Sequence, residues 1–239
     1  MATQYQTRAQ VASRAGESAR MDEGLRSYML RVYNYMGSGL ALSGAIAAYV
    51  ASSPSLMQAI FGSGLGMVAM LAPIAIIFAM SFGVNRFGTT TLQALYWVFV
   101  ALMGLSLAMV FAVYTAESIT RVFFITAGTF GAMSLFGYTT KRDLSGMGSF
   151  LIMGLIGIVI ASVVNIFLAS SMLQFVVSVL GVLIFTGLTA YDTQRIKSQY
   201  YHGHSDEILQ KSAIMGALSL YLNFYNLFIM LMHLFGNRE

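Results

Sequence analysis

Residues 181–197 read GVLIFTGLTAYDTQRIK, an apolar run that takes on a carboxylate at Asp192 and closes on Arg195 and Lys197. The run begins far upstream, because no charged residue occurs from Leu144 to Tyr191, and none occurs from Val32 to Asn85. Such stretches exceed the roughly 20 residues that an α-helix needs to cross a hydrocarbon core of about 30 Å. A chain built from them is a polytopic membrane protein. A carboxylate at the edge of such a stretch is its leading functional candidate.

Composition points the same way. Of 239 residues, 57% are hydrophobic and 9% are charged, whereas soluble domains carry about a quarter of charged residues. The absence of cysteine excludes disulfides, thiolate catalysis and cysteine metal sites. The net charge of +4 is spread over short links between apolar runs, which does not suit a nucleic-acid surface. A phosphate loop, an HExxH motif, a GxGxxG fingerprint and an EF-hand are all missing from the sequence. An aspartyl protease needs two carboxylates sharing a proton, and no second aspartate accompanies Asp192 in the apolar runs. The expectation is a protein that is not an enzyme and needs no cofactor.

The hydropathic layout predicts an all-α fold with seven transmembrane helices over residues 32–51, 59–82, 92–114, 120–139, 147–169, 172–193 and 212–235. Residues 1–31 read as a cytoplasmic tail whose later part lies along the membrane, residues 32–236 as the membrane domain, and residues 237–239 as a short outward tail. Pro54 and its neighbouring serines mark the first turn, and Pro73 falls inside the second helix. Glycines such as Gly37, Gly44, Gly154, Gly157, Gly181 and Gly187 let helices approach closely, and Gly62 with Gly66 has small-xxx-small spacing. The abundant methionines fill irregular gaps in the packing.

Positive charge sets the orientation, because short loops rich in Lys and Arg stay cytoplasmic. Arg8, Arg14, Arg20, Arg26, Arg31, Arg86, Lys141, Arg142, Arg195, Lys197 and Lys211 all fall on alternate links, leaving Arg121 and Arg238 for the other side. Seven crossings therefore place the N-terminus in the cytoplasm and the C-terminus outside.

Asp192 lies about a turn inside the cytoplasmic boundary. A carboxylate at such depth resists ionisation unless cations or hydrogen bonds favour its charged form. It is read either as a gating or ion-related group or as a helix-end group paired with Arg195. Arg86, in SFGVNRFG (81–88), is either a cytoplasmic anchor or a latch that pairs with Asp192 and closes an inward exit. On the last helix Ser219, Asn223 and Asn226 form a polar strip at spacings of four and three, which places that helix inside the bundle. Glu117, in the link after the third helix, could draw cations to an outer mouth, and its spacing to Arg121 permits a same-face pair. One carboxylate does not make a Ca²⁺ site, which needs six to eight oxygens. His202 and His204 belong to a polar link, and His233 is interfacial.

The segments GVLIFTGLTAYDTQRIK (181–197), ALSLYLNFYNLFIMLMHLFG (217–236) and KRDLSGMGSFLIMGLIGIVIASVVNIF (141–167) closely resemble the Bax inhibitor-1 family, also called the transmembrane BAX inhibitor motif family. The likeness runs over roughly residues 25 to 236. It implies seven helices with the last surrounded by the other six, and a pH-sensitive calcium leak channel in which Ca²⁺ is the permeant ion. It further implies a sensor made of two aspartates, with an arginine after the second helix latching to the first. Asp192 matches the first aspartate and Arg86 the latch. Asn223 stands where the second aspartate belongs, so the shared proton of a carboxylate pair is lost and a weaker or shifted pH response is expected. The partners expected are membrane lipid and a membrane protein, and the setting is a bacterial inner membrane. The alternative reading is a non-conducting scaffold that regulates a membrane protease or stress response. A third, proton-coupled transport with Asp192 as carrier, lacks an evident inverted repeat of broken helices.

Overall fold

Short polar residues set the helix starts. Ser53, Thr115, Ser170 and Ser205 each accept, through the hydroxyl, the backbone N–H three residues on, which satisfies one of the orphan donors of a helix N-terminus. Pro54 follows Ser53 at the first helical position, where its missing N–H costs nothing. In this computed structural model, which describes residues 2–238 with side chains from residue 22 onward, the helices are α1 (Ala2–Ala51), α2 (Pro54–Phe61), α3 (Leu65–Gly83), α4 (Thr89–Val113), α5 (Ala116–Thr139), α6 (Ser145–Leu168), α7 (Ser171–Ser198) and α8 (Asp206–Phe235). The protein is an all-α polytopic membrane protein. Helices α3 to α8 are each long and apolar enough to cross a membrane, and α1 meets that standard together with α2, from which it turns by 103°.

Two features differ from the hydropathic reading. The second span does not run unbroken over 59–82, because α2 ends at Phe61 and α3 starts at Leu65. Gly62, Ser63 and Gly64 lie between them, and glycine favours a break over a helix interior. Gly62 and Gly66 therefore flank a break and form no common helical face. At the other boundary, α1 runs straight through residue 31, and Tyr28 and Met29 are buried in the core. Arg8, Arg14, Arg20 and the rest of residues 1–21 lie outside the described side chains.

Helix α8 packs against α1, α4, α5 and α7. In its most apolar stretch 61% of the residues are buried, against 11% for α6. Helix α6 packs on α7, and α3 on α4 and α2, so these two stand at the periphery. Two glycines set the closest crossings: a Cβ at Gly104 would strike the Ser43 backbone of α1, and one at Gly137 would strike the Ala190 backbone of α7. Small residues at such points let helices approach where lipid gives little drive for association.

The alternating helices sort the polar ends. At one end Tyr28 packs on Tyr200, Lys197 donates to the Tyr138 carbonyl and Gln194 donates to the Arg142 carbonyl. At the other, Thr115 donates to the Asn237 carbonyl, Arg121 donates to the Phe235 carbonyl and Arg238 lies over the Tyr114 ring. The last residues are thus tied to the α4–α5 turn. Arg121 is engaged with Phe235, so the Glu117–Arg121 pair is not made.

Candidate functional site

Asp192 sits on the inner face of α7, near the helix end, opposite Asn223 on α8. Both are buried, with 8% and 5% of their surface exposed. The Asn223 Nδ2 donates to Asp192 Oδ2 at 2.8 Å. One turn along α7, Arg195 places Nη2 2.9 Å from the other oxygen, Oδ1. Each carboxylate oxygen thus has its own donor, the condition under which a charge is tolerated away from water.

Arg195 does more than neutralise. Its Nη2 also donates to Ser219 Oγ at 3.3 Å, and its guanidinium lies 5.7 Å from the Tyr191 ring centre. Ser219 and Asn223 are four apart on α8, so they share a face, and that face meets Asp192 and Arg195. Asn226 follows on the same strip and donates to its own helix at the Leu222 carbonyl.

Two clefts meet at this cluster. One, of about 650 Å³, lies between the end of α3 and helices α7 and α8, lined in part by Asn85, Lys211 and Met215. The other, of about 520 Å³, lies between α6, α7 and α8, lined in part by Asp192, Asn223, Asn226 and Ile158. Arg195 and Ser219 line both. They touch where a polar cleft at the basic end of the bundle adjoins a more apolar one between α6, α7 and α8, whose α6 wall is exposed.

The other sequence candidates lie apart. Arg86 is exposed on the turn after α3, with its backbone N–H on the Gly83 carbonyl, and makes no ion pair among the described residues. The cation on Asp192 in this structure is Arg195, while Val84 and Asn85 beside Arg86 line the first cleft. Glu117 is exposed in the first turn of α5, where the helix dipole favours a negative charge. His202 and His204 are exposed in the α7–α8 link, and no group of three His, Cys, Asp or Glu gathers among the described residues.

Two buried polar networks have no counterpart in the sequence reading. Ser43 on α1 donates to the Val100 carbonyl and pairs with the Tyr221 hydroxyl. Tyr33 on α1, Ser134 on α5 and Thr193 on α7 form a hydroxyl chain that ends beside Asp192. Isolated serines and threonines look like small-residue background until helices bring them together.

Residues 25–239 match the family described as inhibitor of apoptosis-promoting Bax1. The chain belongs to the Bax inhibitor-1 family. Similar curated proteins include an uncharacterized protein of Rickettsia prowazekii, 50% identical over 218 residues that cover 91% of this chain and 92% of the relative. The inner membrane protein YbhL of Escherichia coli is 45% identical over 219 residues, covering 90% and 94%. An uncharacterized protein of Caulobacter vibrioides is 48% identical over 230 residues, covering 92% of each. Bax inhibitor-1 family members are membrane proteins rather than enzymes.

Proposed function

We propose that this Bax inhibitor-1 family member is a pH-modulated passive leak for cations, Ca²⁺ above all, across a bacterial inner membrane. In this reading the chain crosses seven times: by α1, by α3 with α2 lying at the surface, and by α4 to α8. The N-terminus is cytoplasmic, the C-terminus faces outward, and α8 is the central helix. The positive-charge distribution supports that orientation, and the name of the similar YbhL protein supports the membrane.

One observation carries the gating proposal: Arg195 bridges Asp192 and Ser219 at the wall shared by two clefts. Protonating Asp192 removes the attraction that holds Arg195 at this wall, and in this reading the released side chain opens a path between the clefts. The Arg195 side chain is 42% exposed, so solvent screens the pair and its net worth is about 1 kcal/mol. An interaction of that size suits a switch, because it biases an equilibrium without locking it. In the second state Arg86 is the alternative partner for Asp192, reached by a shift at the end of α3. Asn223 holds the carboxylate in place but cannot share its proton.

The test is flux through purified protein in liposomes. Passive, selective Ca²⁺ leak that rises as pH falls supports the reading. Gradient-driven exchange would replace it with a carrier, and absence of any flux would replace it with a scaffold that acts through a membrane protein partner.

A further inference from the structure

Helices α1 and α5 leave between them a groove of about 560 Å³. Its walls are Met29, Leu30 and Tyr33 of α1 and Phe130 and Leu135 of α5. Leu30 and Leu135 are exposed, so the groove opens toward whatever surrounds the bundle. Gly131 lines it, and a Cβ there would meet nothing within 4 Å, which leaves a slot in the α5 face. By helical rise the groove runs about 10 Å along α1 and about 12 Å along α5, roughly a third of a hydrocarbon core.

Charge lies at one end only. Among the described residues Arg26 is the sole charged one of the lining, is exposed, and makes no ion pair. Across from it, at the same end, stands Tyr138, with Lys197 Nζ 4.7 Å above its ring and donating to its carbonyl at 2.8 Å. A basic and aromatic mouth above an apolar slot is complementary to an anion carried on a hydrocarbon body, and basic pockets between membrane helices hold such head groups.

We infer that the α1–α5 groove binds one anionic phospholipid, with its phosphate at Arg26 beside Tyr138 and Lys197 and one acyl chain lying in the slot over Gly131. Among the described residues the lining carries no carboxylate to repel the phosphate. The guanidinium supplies paired N–H donors that match phosphate oxygens. This inference is independent of the leak reading, because the groove shares no lining residue with the Asp192 clefts.

The test uses the full-length protein, stripped of lipid in neutral detergent and then offered phosphatidylglycerol or phosphatidylcholine of matched chains, with bound lipid counted by native mass spectrometry. The wild type should retain phosphatidylglycerol about tenfold more tightly than phosphatidylcholine, the factor one charge-assisted contact supplies. Arg26→Gln should erase that preference while leaving residual lipid binding. Gly131→Leu, placed in open space, should lose both lipids. Circular dichroism and gel filtration of each variant check that the bundle is intact. Equal retention of the two lipids by the wild type, or wild-type behaviour of both variants, overturns the inference. So does competition by soluble glycerol phosphate as effective as that of phosphatidylglycerol, since it would mean an anion site without an acyl slot.

Discussion

The amide of Asn223 donates to the carboxylate of Asp192 at 2.8 Å, joining α7 to α8 inside the bundle. Its neighbour Arg195 takes the second oxygen. A carboxylate at position 223 would instead face Asp192 with like charge, and two acids so close titrate as a coupled pair.

Asn223→Asp is therefore expected to move the pH midpoint of Ca²⁺ leak and to increase the flux. The pair would hold a proton at a higher pH than a lone carboxylate and, once ionised, attract cations more strongly. Efflux from Ca²⁺-loaded liposomes across a pH series measures both. Curves that superimpose on the wild type would remove Asn223 from the gate.

Asp192→Asn should flatten the pH dependence of leak, because the neutral amide has no proton to gain. The sign follows from the ion pair: acidification neutralises Asp192, weakens its hold on Arg195 and raises the leak of the wild type. Arg195→Gln should raise leak at neutral pH by removing the bridge to Ser219. A pH profile for Asp192→Asn as steep as that of the wild type would exclude Asp192 as the sensor.

The connection from α6 to α7 turns at Ala169, whose φ of 48° lies in the left-handed region. An L residue there costs about 1 kcal/mol relative to glycine. Ala169→Gly should raise stability by about that amount, read as a higher thermal midpoint in detergent. A lower midpoint would show that the turn is not strained.

Close crossings and open glycines should respond in opposite ways. Gly104→Val puts a branched side chain against the Ser43 backbone and should cost about 2 kcal/mol or more through overpacking. Gly44→Ala, with nothing within 4 Å of its added carbon, should change stability by less than about 0.5 kcal/mol. Thermal midpoints of the two variants separate the cases, and equal losses would contradict the packing of α1 on α4.

Removing one hydroxyl from the chain that ends beside Asp192 should also register. Tyr33→Phe breaks its contact with Ser134 and is expected to cost about 1 kcal/mol, measured as a lowered midpoint at unchanged helix content. No change in midpoint would mean that the chain contributes nothing to holding α1 on α5.

Much of this protein is determined by local properties of its sequence. Whether a segment prefers lipid is a sum over its own residues, so the spans 92–114 and 147–169 lie within a few residues of α4 and α6. The same local logic singled out Asp192, a charge set among apolar residues, and the strip of Ser219, Asn223 and Asn226, which follows from helical spacing alone. Tertiary structure decided what those groups touch. It placed Arg195, not the more distant Arg86, on Asp192. It made Gly104 and Gly137 the close crossings from among many glycines, and it assembled Tyr33, Ser134 and Thr193 from three helices into one chain. Hydropathy is indifferent to the rotation of a helix about its axis, whereas hydrogen bonds and ion pairs act over about 3 Å. Only the packed bundle therefore selects the partners.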